Sequence, residues 1–354
     1  MRAAAPRKGP SQVTIRDVAH KAHVSIATVS RALNDTGRVR PEIRERVLRA
    51  ARKLRYTPHG AARSLISGRT HTVGLLLPDL HGEYFSELIR GVDRAARRRG
   101  LHLLVSSSHG SASEAASAVR ALNGRIDGLL AMVPGEDADF IQEALPQTLP
   151  TVLLNSRARG GQYPAFVVDD FGGARAMTRH LIERGYRRIA HIRGAAGNLQ
   201  AEERLRGYRA ALKGSGAAPA IVIEGDFTEE SGYRAGQAIA AGAERPDAVF
   251  AANDMMAVGC LVALREAGIR VPQDIALTGF DDIPLARFLS PPLTTVQADV
   301  ATLGQRALER LAALIEGEAA ADAPATERLS VEVVVRGSSG AAPAAGETSA
   351  GLPR

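Results

Sequence analysis

The apolar residues of this chain follow two different periods. Up to about Tyr56, apolar side chains recur at intervals of three and four residues in three short runs, as in small amphipathic helices. From about Thr72, short apolar runs alternate with longer amphipathic ones. The first pattern predicts a small helical unit, and the second predicts a larger α/β unit.

The helical unit begins with "VTIRDVAHKAHVSIATVSRALN", residues 13–34. Thr14 is a hydroxyl N-cap with Asp17 three residues later, a variant capping box that predicts a helix of about eight residues. Ser25 is a second N-cap, for a helix over 26–34. The inward faces of these two helices are apolar, with Ile15, Val18, Ala19 and Ala22 on the first and Val29, Ala32 and Leu33 on the second.

A third helix is predicted from Pro41 to about Arg55, because proline is favoured at the first helical position. Two short helices joined by a turn of about three residues form a helix-turn-helix, which the third helix completes as a packed unit. The unit could be purely structural. The outward face of the second helix is nevertheless suited to base edges and phosphates, since it presents Ile26, Ala27, Ser30 and Arg31.

The remainder of the chain alternates between strand and helix patterns. This alternation predicts parallel sheets with helices on both faces, and there are more units than one sheet usually holds, so we expect two doubly wound lobes. Such folds bind small molecules in a cleft lined by loops at the carboxyl ends of the strands. The candidate strands are Val73–Leu77, Leu101–Val105, Gly128–Val133, Thr151–Leu154, Ala165–Val168, Ile189–Ile192, Ile221–Glu224, Ala248–Ala251 and Ile275–Phe280.

The positive charge of the chain is concentrated in the helical unit. The formal net charge is +7, but residues 1–70 hold 16 Lys or Arg and 4 Asp or Glu, whereas the other residues hold 29 and 34. This asymmetry is typical of a small module that docks on a polyanion, attached to a larger domain with another task. A solvated basic surface would have the same composition.

Composition and motifs exclude several other classes. No apolar run approaches the length of a membrane span and "MRAAAPRKGP" lacks the core of a signal peptide, so we expect a cytoplasmic protein. The single Cys260 falls in an apolar helix pattern and is expected to be a core residue. His20 and His23 lack the companions that a metal site needs, and no catalytic motif is present. We expect no catalytic residue, cofactor or metal.

Polar and aromatic residues follow several of the predicted strands. Carboxylate, amide and guanidinium groups with aromatic rings are what a polyol-binding site requires, although each alone could be a helix cap, a packed ring or a loop carboxylate. Asp254 and Asp282 share these positions, and Asp254 is expected to support the site or cap a helix. The candidate effector contacts are Asp79, Tyr84, Phe85, Asn155, Arg204, Phe227, Asn253 and Asp281.

The stretch over 13–34 together with "YTPHGAARSL" resembles the LacI/GalR family of bacterial transcription regulators, and the similarity extends over about residues 12–338. The resemblance implies a two-lobe fold of the periplasmic-binding type with three chain crossings near Asp169, Val296 and Arg328. It also implies that Arg204, Asn253 and Asp281 bind the effector. The candidate DNA contacts are Thr14, Ser25, Ile26, Ala27, Thr28, Ser30, Arg31, Asn34, Arg38, Tyr56, Ala62 and Leu65.

The segment from Pro58 to Leu65 is by itself an unremarkable linker, too short for a stable isolated helix. The resemblance implies a hinge helix that orders on the operator and inserts Leu65 into the minor groove, with Ala62 beside it. Apolar wedges of this kind kink DNA so that it wraps more protein surface. Gly60 departs from the bulkier residue usual in the family and should make ordering costlier.

Three further residues depart from the family pattern. His23 stands where the family usually has Gly, which predicts a left-handed or bridging backbone. Arg40 replaces the Ser or Thr that usually caps the third helix, so that helix should begin less well. Asn155 replaces a frequent Asp, which suggests a different hydroxyl pattern or a less charged ligand.

The sequence therefore predicts a homodimeric regulator that binds pseudo-palindromic operator DNA, most simply a repressor of carbohydrate-metabolism genes controlled by a sugar-like effector. The tail lacks the leucine heptads of tetrameric relatives. A solute-binding protein and an enzyme fused to a DNA-binding module are the alternatives. The expected organisation is an arm over 1–11, the helix-turn-helix domain over 12–57, the hinge over 58–71, the two-lobe domain over 72–338 and a disordered tail over 339–354. Its first lobe should comprise 72–168 and 297–327, and its second 169–296 and 328–338.

Overall fold

The computed structural model describes residues 13–34, 39–56, 68–133, 148–156, 163–318 and 326–340. The chain divides between Thr70 and His71 into two compact units. The expected N-terminal arm, residues 58–67 of the expected hinge and the tail from 341 lie outside the described residues.

The first unit contains the head, residues 13–56, which consists of helices α1 (Ile15–Ala22), α2 (Ile26–Asn34) and α3 (Pro41–Leu54). Its core is formed by small apolar side chains from all three helices, including Val18, Val29 and Val47, each fully buried. The predicted bounds of α1 and α2 are confirmed, and α3 ends one residue earlier than expected.

The turn between α1 and α2 has the backbone conformation that the sequence predicted. His23 ends α1 with φ 51° and ψ 49°, and its N–H reaches the carbonyl oxygens of Ala19 and His20. This left-handed angle confirms the expectation drawn from His at a position where Gly is usual. The Arg40 side chain makes no capping hydrogen bond to α3, which begins with Pro41.

The first lobe of the second unit is a six-stranded parallel sheet in the order β11-β5-β4-β3-β1-β2. Helices α4 and α10 cover one face and α5 the other, so successive residues of β1 point to opposite cores, as Leu75 and Leu76 do. The elements of this lobe are β1 (Thr72–Leu77), α4 (Glu83–Arg98), β2 (His102–Ser107), α5 (Ala112–Leu122), β3 (Gly128–Ala131), β4 (Thr151–Leu154), β5 (Ala165–Val168), α10 (Val300–Glu316) and β11 (Thr326–Leu329).

The second lobe is a four-stranded parallel sheet in the order β7-β6-β8-β9, with α6 and α7 on one face and α8 and α9 on the other. Helices α8 and α9 pack closely because Gly259 has no side chain, and a Cβ atom there would overlap the carbonyl oxygen of Glu229. The elements are α6 (Asp170–Glu183), β6 (Ile189–Ile192), α7 (Leu199–Leu212), β7 (Ile221–Ile223), α8 (Glu229–Ala241), β8 (Ala248–Ala251), α9 (Asp254–Glu266) and β9 (Ala276–Thr278).

The chain passes between the lobes three times. The first crossing follows β5, and the other two involve the antiparallel pair β10 (Thr295–Gln297) and β12 (Glu332–Val334). The third crossing comes slightly later than the expected boundary at Arg328, because Arg328 and Leu329 still pair with β5 of the first lobe. The described second lobe continues to Gly340, since Ser339 is fully buried and its Oγ lies 2.8 Å from the hydroxyl of Thr294. The expected start of a disordered tail at 339 is therefore wrong.

The nine predicted strands are all present, with bounds that shift by up to two residues. Strands β10, β11 and β12 were not predicted, because they are short; β11 and β12 also carry exposed polar residues at the edges of their sheets. Within the described residues, no helix has both the length and the apolar character of a membrane span.

Candidate functional site

The head presents a mixed apolar and basic surface along α2. The Ser25 hydroxyl accepts a hydrogen bond from the N–H of Thr28 at 3.1 Å and so fixes where α2 begins. Ile26, Ala27 and Arg31 are exposed, and the isoleucine keeps 44% of its surface in solvent although it is apolar. The Arg31 Nε donates to the carbonyl oxygen of Ala27 at 3.2 Å, which holds the guanidinium along the helix surface.

The other candidate DNA contacts on the head lie at the start of α1, along α2 and at the C-terminal end of the head. Thr14 is exposed at the start of α1, where its N–H and its hydroxyl both donate to the Asp17 carboxylate at 2.8 Å. These two hydrogen bonds hold the pKa of Asp17 below its usual value. Ser30 is half-buried, Tyr56 packs against the head core, and Asn34 ends α2. Arg38, Ala62 and Leu65 lie outside the described residues.

The second unit contains a cavity of about 510 Å³ between its lobes, which we call the cleft. Seven of the eight candidate effector contacts line it. Each lies in the loop or the first turns of the helix that follows the carboxyl end of a strand, as expected for a doubly wound fold. The first lobe contributes Asp79, Tyr84 and Phe85, and the second contributes Arg204, Phe227, Asn253 and Asp281.

The floor of the cleft is organised around Arg204, which is only 2% exposed. Its Nε donates to Asp170 Oδ1 at 2.8 Å, and its Nη1 donates to the carbonyl oxygen of Ala252 at 2.5 Å. Its guanidinium carbon lies 3.7 Å from the centre of the Phe280 ring, a stacking distance. The protein thus fixes the guanidinium from three sides, which leaves few of its N–H groups for a ligand.

Asp281 completes this arrangement in a strained conformation. Its φ of 104° lies in a region that residues other than Gly rarely adopt. Its Oδ1 lies 3.1 Å from Nη2 of Arg204, an ion pair that is not aligned as a hydrogen bond. This buried oxygen receives no hydrogen bond from any residue that the structure describes. Burial raises the pKa of Asp281 to about 7, with Arg204 opposing the rise and the Asp170 charge adding to it.

Asn253 holds the loop that carries Phe227 in the lining of the cleft. Its Oδ1 accepts from the N–H of Met256 at 3.0 Å and caps α9, while its Nδ2 donates to the carbonyl oxygen of Phe227 at 3.0 Å. Phe227 itself has φ 74°. Asn253 therefore positions the Phe227 ring and keeps one N–H that is not accounted for by these two bonds.

Asn155 lies behind the cleft rather than in its lining. Its Nδ2 donates to the hydroxyl of Tyr84 at 2.6 Å, and its Oδ1 accepts from the N–H of Val168 at 3.0 Å. Burial raises the pKa of the Tyr84 hydroxyl above its usual value. Asn155 thus orients a residue of the lining, and the expectation that it stands with the direct contacts is not met, because β5 and Tyr84 use both ends of its amide.

Sequence reasoning missed two members of the site and assigned a third only loosely. Asp170 and Phe280 flank Arg204, yet neither residue type is distinctive at its position in the sequence. Asp254 is fully buried and accepts from Thr295 Oγ1 at 2.6 Å and from the N–H of Ile283 at 3.0 Å, so it supports the site as expected. Among the described residues, no group of three or more His, Cys, Asp or Glu could hold a metal ion.

Two family models match this chain. Residues 14–59 match the model described as bacterial regulatory proteins, lacI family, and residues 178–339 match a periplasmic binding protein-like domain. Among curated proteins, the ribose operon repressor of Escherichia coli (strain K12) is 37% identical over 303 residues, which cover 84% of this chain and 92% of the relative. The HTH-type transcriptional repressor PurR of Erwinia tasmaniensis is 38% identical over 304 residues, with 84% and 89% covered.

Solved structures extend the similarity to the fold. The lac repressor dimer bound to operator and the anti-inducer ONPF matches with a TM-score of 0.82 at 30% identity, covering 93% of this chain and 99% of that one. A LacI family transcriptional regulator from Enterococcus faecium with bound ribose matches with a TM-score of 0.68 at 26% identity, covering 75% and 98%.

Proposed function

Since this chain belongs to the lacI family of bacterial regulatory proteins, we propose that it is a sequence-specific transcriptional repressor controlled by a small-molecule effector. It binds a pseudo-palindromic operator as a homodimer in the cytoplasm. The effector is a sugar or a sugar-like molecule that occupies the cleft, and the regulated genes serve carbohydrate metabolism. The chain acts without catalysis, as its repressor relatives do.

One observation carries this proposal: a basic head with an exposed α2 and a polar, partly aromatic cleft belong to the same chain. The head supplies phosphate attraction through its excess of Lys and Arg, and α2 supplies the side chains that can enter a major groove. The cleft offers carboxylate and amide groups for hydroxyls, together with rings for the apolar face of a sugar.

The residues of α2 divide into two kinds of base contact. Ile26 and Ala27 carry no hydrogen-bonding groups and read shape and thymine methyl groups, whereas Arg31 can bind the O6 and N7 atoms of guanine. In the free head Arg31 Nε is bonded to the carbonyl oxygen of Ala27. To bind guanine through Nε, Arg31 must exchange its hydrogen bond to the Ala27 carbonyl oxygen for a contact with the base.

The hinge is proposed from sequence alone, because Ala62 and Leu65 lie outside the described residues. We assign Leu65 as the minor-groove wedge. The variant Leu65→Ala should leave effector binding unchanged, while it reduces both the operator bend and the specific affinity. A circular permutation gel-shift assay measures the bend, and an unchanged bend angle would reject the assignment.

Allosteric control requires that effector and DNA bias one shared equilibrium of the two lobes. Reciprocity follows: operator DNA must change effector affinity by the same factor by which the effector changes operator affinity. The operator is obtained by selecting random DNA fragments on the full chain, and calorimetric titration of a bound sugar into free and operator-bound protein then tests the linkage. Equal affinities in both states, for a ligand that occupies the cleft, would refute control by that ligand.

A further inference from the structure

The cleft carries more carboxylates than cations. Besides Asp281, its lining includes Asp79, Asp226 and Glu229. Among the lining residues that the structure describes, Arg204 is the only Lys or Arg, and it is already engaged with the carboxylates of Asp170 and Asp281. Asp226 also lies 3.6 Å from Arg234, an exposed arginine outside the lining. The acidic excess of the lining therefore rests on Asp79, Glu229 and the two carboxylates that share Arg204.

The two histidines of the lining are also paired with acidic groups. His81 Nε2 lies 3.3 Å from Glu229 Oε2, and His109 Nε2 lies 3.9 Å from Glu114 Oε2. Both imidazoles are largely exposed, at about 70% of the side chain. Each of the two imidazoles therefore lies beside a carboxylate.

The helix N-termini at the cleft are also partly engaged by side chains. The side chains of Asn198, Thr228 and Asn253 cap α7, α8 and α9, and each accepts a hydrogen bond from a backbone N–H at 3.0–3.2 Å. Helix α4 begins after Gly82 without a side-chain cap, but it has the Glu83 carboxylate in its first turn. At each of these helix starts, one backbone N–H is thus already bonded to a side chain or a carboxylate lies in the first turn, which weakens the attraction that a helix N-terminus usually exerts on phosphate.

The buried carboxylate of Asp281 keeps unused capacity to accept hydrogen bonds. Its side chain is 5% exposed, it lines the cleft, and its Oδ1 receives no hydrogen bond within the part of the chain that the structure describes. A buried acceptor that receives no hydrogen bond is costly even beside a cation, and a hydrogen bond from a ligand hydroxyl would relieve that cost. An anionic oxygen would instead increase the repulsion.

We infer that the effector, within the regulatory function proposed above on which this inference rests, is an uncharged polyol that donates hydrogen bonds, and that the phosphorylated form of the same molecule is rejected. The rejection is electrostatic and not steric. A cavity of about 510 Å³ accommodates a monosaccharide with or without a phosphate group.

The test compares neutral molecules with their own phosphates on the full chain by calorimetry. The pairs are D-ribose and D-ribose 5-phosphate, D-glucose and D-glucose 6-phosphate, and adenosine and its 5′-monophosphate. At least one neutral member should bind, and its phosphate should bind roughly tenfold or more weakly, because the phosphate meets several carboxylates across a partly desolvated gap. A phosphate that binds more tightly than its neutral partner overturns the inference, as does the absence of binding by every neutral member.

A matched pair of variants separates charge from shape. Glu229→Gln removes one carboxylate from the lining, whereas Glu230→Gln removes one from the next residue of α8, which is exposed and does not line the cleft. We expect Glu229→Gln to reduce the discrimination against the phosphate by about threefold, since a single charge at this range is partly screened. Glu230→Gln should leave the discrimination unchanged, and equal effects of the two variants would contradict the inference.

Operator binding in the same samples, measured by fluorescence anisotropy, distinguishes a failure of the proposed function from a failure of the charge selectivity. A chain that binds a neutral sugar but no DNA contradicts the proposed function and leaves the charge selectivity standing. A chain whose operator binding responds to a sugar phosphate and not to its neutral partner contradicts the inference alone.

Discussion

Replacement of Arg204 by alanine should destabilise the second unit and abolish the effect of the effector on DNA binding. The side chain is 2% exposed and makes two close hydrogen bonds, to Asp170 and to the carbonyl oxygen of Ala252. Removing it leaves two buried carboxylates without their cation, and breaking a buried ion pair in this way costs about 3–5 kcal/mol. The lost stacking on Phe280, worth up to about 2 kcal/mol, is part of that cost and is not added to it.

Differential scanning calorimetry of the full chain measures this loss. For a unit of roughly 270 residues with an unfolding entropy of about 2 cal/mol/K per residue, 3–5 kcal/mol corresponds to a fall in Tm of about 5–9 °C. Arg206→Ala is the matched control on the same helix, because that arginine is 64% exposed, and its contacts are a surface ion pair with Glu203 and a ring contact with Phe171 at 4.7 Å. Its cost should stay below about 1 kcal/mol.

A thermodynamic cycle sharpens the prediction. In the Asp170→Asn background, Arg204→Ala should cost about 1–2 kcal/mol less than in the parent, because one of the two stranded charges is already gone. Equal Tm values for Arg204→Ala and Arg206→Ala, or additive effects in the cycle, would refute the view of Arg204 as the cation that holds the cleft floor together.

Four further outcomes follow from the described contacts. Ser25→Ala removes the cap of α2 and should lower head stability by about 1 kcal/mol, measured by hydrogen exchange of the head amides. Arg31→Ala should cost about 1–3 kcal/mol in operator binding and relax one base pair per half-site, whereas uniform weakening across sequences would show a phosphate contact. Gly259→Ala should cost about 1–3 kcal/mol in calorimetry, since the new methyl group would overlap backbone; an unchanged Tm would contradict the close packing of α8 on α9. Because the pKa of Asp281 is about 7 and its ionised form is the hydrogen-bond acceptor, effector affinity should fall as the pH drops below about 7 and level off above it, whereas Asp281→Asn should show no such dependence in calorimetric titrations from pH 6 to 8.5.

The elements that local chemistry specifies were predictable from the sequence. The caps at Thr14 and Ser25, the proline at the start of α3 and the left-handed His23 all depend on residues within one turn of one another. The buried strands were equally clear, because an apolar run such as Val73–Leu77 has no polar face to obscure it. Because ligands bind at the carboxyl ends of parallel strands, most residues that line the cleft could then be predicted from the sequence.

What the sequence could not indicate depends on contacts between distant residues. Arg204 and Asp170 are separated by 34 positions, and the residues next to each of them in the sequence do not indicate that the two form an ion pair. Asn155 looked like a direct contact because it follows a strand. Its backbone has a left-handed φ of 45°, and its side-chain amide bonds to the Tyr84 hydroxyl and to the N–H of Val168. Strand β11 is polar along most of its length because it lies at an edge, so its pattern resembles that of a loop.

The three crossings also determine the order in which the parts of this protein can be completed on the ribosome. The head is finished once its three helices have been synthesised, whereas the first lobe still lacks α10 and its edge strand β11 until Leu329 has been added. At 5–20 residues per second, that interval is about 14–55 s. During this time a nascent chain has all the residues of the head but an incomplete cleft. A chain interrupted before α10 would keep the head and lack the complete effector-binding unit. The topology therefore makes the response to the effector the last property that each new molecule acquires.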